Sequence, residues 1–207
     1  MMNIFLTGDI QIGKTTALNK ALRDFYGDIS DGDGCNSGGG GGGGGDGGGI
    51  GDGGSGGGIS GLVTYGGPVK PDGTRDVYLK AWGAPDTYDE THCICERLSP
   101  PGRRIYPEVF ETTGTAILRE TLSANPGIII LDELGVFEEN CESFKTAVFA
   151  CLSSDVPVLG VLKKAASGFL DSIRNKPGVE VIEVTRENRD SVPLLITAML
   201  QTARFAR

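Results

Sequence analysis

Two short runs of this chain carry residue types at spacings that could do chemistry. The first is Gly8-Asp9-Ile10-Gln11-Ile12-Gly13-Lys14-Thr15, followed by Thr16. It fits the pattern G-x-x-x-x-G-K-[ST] at every fixed position. Glycines let a backbone curl until successive N–H groups face phosphate oxygens, and a following helix adds the positive end of its dipole. Lys14 would bring a point charge to the outer phosphates, and the Thr15 hydroxyl could ligate Mg²⁺. The second run is Ile128-Ile129-Ile130-Leu131-Asp132-Glu133, continued by Leu134-Gly135. Four apolar residues deliver two adjacent carboxylates. Asp132 would hold the magnesium through a water, and Glu133 would polarise the water that attacks a γ-phosphate. The chemistry these runs would suit is hydrolysis of ATP or another nucleoside triphosphate, with Lys14 and Glu133 as catalytic groups, Thr15 and Asp132 as metal ligands, and both runs lining the nucleotide.

The surrounding elements suit both runs. Ile4-Phe5-Leu6 reads as a short strand before the loop, and Ala17, Leu18, Ala21, Leu22 and Phe25 recur at helical spacing after it. Ile128–Leu131 is a continuous apolar run, as expected for a strand buried on both faces of a parallel sheet. The C-terminal edge of such a sheet is where open α/β folds bind ligands.

Further along, Leu62–Tyr65 and Val77–Leu79 look like strands, with Pro71-Asp72-Gly73 as a turn between them. A helix is expected over Val109–Leu122, ended by Asn125-Pro126-Gly127. Another carries Cys141, Phe144, Val148, Cys151 and Leu152 on one face. Val156–Leu162 reads as a buried strand, and Phe169, Leu170 and Ile173 mark a short helix. Val179, Val181 and Val184 lie in a last strand, before a helix over Val192–Phe205. Alternating strands and helices imply one α/β domain, a mostly parallel sheet with helices on both faces. One segment stands outside that scheme. Residues 32–58 hold 19 of the 34 glycines, with almost no apolar side chains to offset the entropy of ordering them. They read as a disordered glycine-rich insertion.

Composition narrows the function classes. The chain has 207 residues, 39% hydrophobic and 22% charged, with a formal net charge of -8. It has no long Lys/Arg run, so nucleic acid is not an expected partner. No apolar stretch approaches the roughly 20 residues that span a bilayer, and Met1 to Leu6 is too short an apolar start for a secretory signal. Five cysteines without framework spacing suit reduced thiols. A cytoplasmic location without membrane attachment is the expectation; protein partners are left open.

Together these blocks resemble the THEP-type nucleoside triphosphatases, a P-loop family. The resemblance rests on Phe5-Leu6-Thr7-Gly8 through Gly13-Lys14-Thr15-Thr16, on Gly61-Leu62-Val63-Thr64 and on Leu131-Asp132-Glu133-Leu134-Gly135. Phe144–Leu162 and the closing Val179–Asp190 stretch, with Glu187-Asn188-Arg189, extend it. It implies a Rossmann-like P-loop NTPase fold, Mg²⁺ dependence, broad base tolerance and slow turnover. The chain departs from the family at Ile10 and Gln11, and past Thr64, where it runs Tyr65-Gly66-Gly67-Pro68.

Other candidates are weaker. Arg97, Arg103 and Arg104 flank Pro100-Pro101-Gly102 in an expected loop; over a cleft, one could neutralise a transferring phosphoryl group, though a solvated turn is the plainer reading. Asn188-Arg189 could approach the nucleotide or cap the last helix. His92-Cys93-Ile94-Cys95 is half a metal site with no second pair to complete it. Trp82 reads as core. The alternative function is a P-loop kinase acting on a nucleotide or other small hydroxyl substrate. Asp132-Glu133-Leu134-Gly135 also fits the D-x-x-G of a GTPase, but no guanine-reading N-K-x-D occurs.

Overall fold

The computed structural model describes residues 2–27, 57–98 and 102–205. The glycine tract apart from Gly57 and Gly58, Cys35 within it, and Pro100 and Pro101 lie outside the described residues.

Among the described residues, eight strands form one sheet: β1 (Asn3–Thr7), β2 (Ile59–Gly66), β3 (Val77–Ala81), β4 (Cys93–Leu98), β5 (Gly102–Ile105), β6 (Ile128–Leu134), β7 (Val158–Leu162) and β8 (Val179–Glu183). Their order is β5-β4-β3-β2-β6-β7-β1-β8. The five strands from β2 to β8 in that order are mutually parallel. β3, β4 and β5 add an antiparallel extension. The sheet is thus parallel where the expectation placed the two chemical runs, and antiparallel beyond β2.

The extension corrects one expectation. Arg97 lies on β4, and Arg103 and Arg104 lie on β5, paired across a hairpin rather than held in a loop. Because β4 runs antiparallel to β3, which runs antiparallel to β2, β4 points the same way as the parallel strands. Its far end therefore comes to the same sheet edge as the first loop.

Helices cover both faces. α1 (Lys14–Tyr26) and α6 (Val192–Phe205) pack over Ile4, Leu6, Ile128, Ile130, Leu159 and Val161. The opposite face carries Phe5, Leu62, Ile129, Leu131 and Val158 beneath α3 (Thr115–Ala124), α4 (Glu142–Ser153) and α5 (Gly168–Arg174). A short α2 (Pro107–Val109) runs through a π-helical turn at Phe110–Gly114 into α3. The expected helix over Val109–Leu122 is therefore longer at both ends, and Asn125 stops it in a left-handed conformation.

In the central strands both faces are apolar, so alternation of polar and apolar residues cannot fix their register. Shape does it instead. Gly160 on β7 faces Phe5 on β1 and Leu131 on β6. A Cβ there would stand 2.5 Å from the Phe5 ring and 2.7 Å from the Leu131 carbonyl. The ring of Phe5 fills the space that Gly160 leaves. The observed register sets β6, β7 and β1 side by side with their C-terminal ends level. Trp82 follows β3, half-buried against the α1/α6 side of the core.

Candidate nucleotide site

The Gly8–Thr15 run leaves β1 at that edge and enters α1. Gly8 has φ +142°, and a Cβ at this position would lie 2.5 Å from the Val184 carbonyl. Gln11 (φ 61°) and Gly13 (φ 103°) also adopt left-handed conformations, so the loop curls back over the start of α1. No side chain caps α1, and its first turn holds no acid. By contrast, Ser167 caps α5 by accepting a bond from the Leu170 N–H. The N–H groups at the start of α1 are thus available to an anion, and the helix dipole favours one there.

Lys14 folds onto its own loop. Its Nζ donates to the carbonyls of Gly8 (3.0 Å) and Asp9 (2.9 Å). Thr15 Oγ1 donates to Asp132 Oδ1 at 3.4 Å, which joins the two runs although 116 residues separate them. Asp9 and Ile10 form the exposed crest of the loop.

β6 brings the second run to this edge. Ile128–Leu131 are buried between the two apolar layers, so their contribution is to set the position of Asp132. Asp132 is 4% exposed, and burial is the main cause that pushes its carboxyl up to about 7. The Thr15 bond and the Lys14 charge oppose that, while Glu133 adds to it. Glu133 is less buried, and its backbone N–H donates to Thr64 Oγ1 at 3.2 Å, across a cis Asp132–Glu133 peptide. Leu134 and Gly135 are buried, and the Gly135 N–H donates to Glu138 Oε2 at 3.1 Å. Glu138 is itself buried, and desolvation pushes its carboxyl up to about 7 as well.

The residues present fit a hard divalent cation. A hydroxyl and a buried carboxylate sit within hydrogen-bond reach of each other beside the lysine of the loop, and that carboxylate is desolvated beyond what its neighbours offset.

Lys20, Lys163 and Lys164 escaped the sequence reading. Lys163 and Lys164 follow β7, the strand between β6 and β1. Lys164 Nζ reaches Asp9 Oδ1 at 3.3 Å and Glu183 Oε1 at 2.8 Å. Lys163 Nζ lies 3.7 Å from Glu133 Oε1 and 5.6 Å from the centre of the Phe137 ring. The Arg103 guanidinium sits on the same ring at 5.3 Å, beside the Lys163 head group. Arg104 instead approaches Glu96 at 3.9 Å. A groove of about 280 Å³ beside the loop is lined by Gln11, Gly13, Thr16, Lys20 and Arg189, among others. The only local signal for Lys163 and Lys164 was their place directly after a buried strand in an acidic chain.

The remaining candidates are placed away from this edge or act in the framework. Asn188 is structural: its Oδ1 accepts from the Thr185 N–H, and its Nδ2 donates to the Glu183 carbonyl, each at 2.8 Å. Past Thr64, Tyr65 packs with Tyr78 and Tyr88, and its hydroxyl both donates to and accepts from the Thr87 backbone. His92 pairs with Asp89 at 2.7 Å. No described helix is long and apolar enough to cross a membrane.

Comparison with known proteins bears on both fold and sequence. A family model described as NTPase matches residues 97–197. Nucleoside-triphosphatase THEP1 of Methanosarcina barkeri is 37% identical over 86 residues, 42% of this chain and 48% of that protein. The THEP1 of Thermofilum pendens is 36% identical over 92 residues, 43% of this chain and 50% of its own. The chain spans about half the length of the curated relatives it matches. A crystal structure of THEP1 from Aquifex aeolicus superposes with a TM-score of 0.61 at 19% identity, covering 97% of this chain and 99% of that one. A human cancer-related nucleoside triphosphatase, solved in solution, gives 0.61 at 22%, covering 98% of each. Sheet order, loop and helix layers define a P-loop NTPase fold. Over residues 97–197 and the stretches aligned with the THEP1 relatives, the sequence is similar to the THEP-type nucleoside triphosphatases, the resemblance that the residues themselves suggested.

Proposed function

We propose that this chain binds a nucleoside triphosphate with Mg²⁺ and hydrolyses it slowly to the diphosphate and phosphate, with little selection of the base. The observation that carries the reading is the approach of Thr15 to the buried Asp132, which brings the loop and the paired carboxylates into one site. The names of the THEP1 relatives support hydrolysis over the kinase alternative.

In this reading the triphosphate lies along the curled loop, its oxygens accepting from the backbone N–H groups at the start of α1. Lys14 leaves the Gly8 and Asp9 carbonyls and turns to the outer phosphates. Thr15 and Asp132 would hold Mg²⁺, which supplies charge neutralisation on the phosphates when bound. Glu133 is exposed enough to meet a water and is oriented by its backbone bond to Thr64. It accepts the proton of the attacking water. Gly135, held by Glu138, keeps the turn after Glu133 in place. The groove beside Lys20 and Arg189 receives the nucleoside. Site residues from Gly8 to Thr16 and from Ile128 to Gly135 thus divide into those that meet the ligand and those that hold them.

Phosphate release from ATP, GTP, CTP and UTP with Mg²⁺ tests this. Release from all four at comparable rates is the expected result. Release from one alone would overturn the broad specificity, and release from none would overturn hydrolysis.

A further inference from the structure

We infer that Lys163 is the residue that recognises the γ-phosphate, and that its contact with Glu133 is the resting position of that cation. The inference rests on the proposed triphosphate site and names which of its side chains tells a triphosphate from a diphosphate.

The sheet places Lys163 there. β7 lies between β6, which carries Asp132 and Glu133, and β1, which opens into the loop. Leu6 pairs with Val161, and the first residues past the ends of β1 and β7 are Gly8 and Lys163. On the other flank its backbone N–H donates to the Leu134 carbonyl at 2.9 Å. Its own carbonyl accepts from Arg174 Nη2 at 2.8 Å. The backbone is therefore tied to β6 on one side and to α5 on the other, at the middle of the edge where both halves of the site end. The adjacent Lys164 already touches Asp9 on the crest of the loop, so this pair of lysines bridges the two halves.

The side chain is tied far less than the backbone. The 3.7 Å separation from Glu133 exceeds the 2.7–2.9 Å of a charge-assisted hydrogen bond. Both partners are open to water, at 41% and 32% exposure, so solvent screens the attraction. The Phe137 ring offers a surface over which the stem can slide. A γ-phosphate with its extra negative charge, arriving beside Glu133, competes well against such a loose hold. Moving Nζ to it also frees Glu133 to accept the proton of the attacking water. Lys14 reaches the β-phosphate as well as the γ, and the backbone N–H groups meet phosphates that di- and triphosphates share. Lys163 approaches from the Glu133 side, where only a γ-phosphate would be.

The test is equilibrium binding by calorimetry, with Mg²⁺, of ADP and of the non-hydrolysable β,γ-imido analogue of ATP. Wild type, Lys163→Met and Lys163→Arg are compared. Loss of one charge-assisted contact corresponds to roughly 10–100-fold in affinity. The expected result is that Lys163→Met weakens the triphosphate analogue within that range and leaves ADP within about twofold, while Lys163→Arg retains most of the triphosphate affinity. Retained ADP binding also shows that the variant is folded. Equal weakening of both nucleotides, or no weakening of either, would overturn the inference while leaving the proposed function standing. If wild type bound neither nucleotide, the proposed function would fall and this inference with it.

Discussion

Asp132, the buried carboxylate of the candidate site, is tolerated by the fold at a cost, and the cost is measurable without any nucleotide. In the chelated protein its carboxyl is pushed from 3.8 to about 7 because burial disfavours the charged form. The folded state therefore binds the proton more tightly than the unfolded chain does. A carboxyl raised in this way stabilises the fold fully below its unfolded value and loses that contribution as pH rises through about 7. Between pH 5 and pH 8 the loss is roughly 3 kcal/mol per such group. Glu138, raised to about 7 by burial, adds a second loss of similar size. For a chain of this length, 1 kcal/mol moves the melting temperature by roughly 2–4 °C. Asp132→Asn keeps an oxygen to accept from Thr15 Oγ1 and removes the charge. In EDTA, wild type should melt at a lower temperature at pH 8 than at pH 5. Asp132→Asn should remove about half of that drop, roughly 5–10 °C, and melt above wild type at pH 8. Mg²⁺-dependent turnover should be lost in the same variant. Parallel melting curves for the two proteins across this range would refute the reasoning, since Asp132 would then ionise in the fold as freely as in water.

Lys14→Ala should weaken Mg·ATP binding by 10-fold or more, because it removes the lysine of the loop itself; unchanged affinity by calorimetry would place the triphosphate elsewhere. Gly160→Ala should destabilise the fold by roughly 1–3 kcal/mol, as its methyl meets both the Phe5 ring and the Leu131 carbonyl. A denaturation midpoint equal to wild type would show that this contact does not fix the central register.

Much of the site was legible because its signals are local. The Gly8–Thr15 loop fixes phosphate-directed geometry within eight residues, and four apolar residues before Asp132-Glu133 mark a buried strand ending in acids. The β4–β5 hairpin was not legible. Its residues, Cys93–Leu98 and Gly102–Ile105, are an edge of the sheet rich in Arg and Glu, with Pro-Pro between them, and an edge strand needs little apolar content to pair. Arg103 acquires its place only from that pairing, with Phe137 reaching it from the loop after β6. The role of Lys163 was hidden for a different reason. Nothing about a lysine after Val158–Leu162 is informative until the strand order sets β7 between β6 and β1, and that order follows from packing across the whole chain. Glu138 shows the same limit. It reads as one acid of a polar turn, and only the structure reveals that it is buried and holds the Gly135 N–H.

Gln11 and the Tyr65-Gly66-Gly67-Pro68 stretch depart from the THEP-type pattern that the chain resembles. Gln11 takes the left-handed conformation that the loop requires (φ 61°), and Thr64 still holds the Glu133 backbone before the chain diverges.

The central claim is that Glu133 activates water against a triphosphate held by the loop. Phosphate release from the four nucleoside triphosphates with Mg²⁺, compared between wild type and Glu133→Gln with Mg·ATP affinity measured alongside, tests it most directly. The account predicts turnover reduced by roughly 10²–10⁴ with affinity retained. Glu133→Gln turning over at the wild-type rate would contradict it.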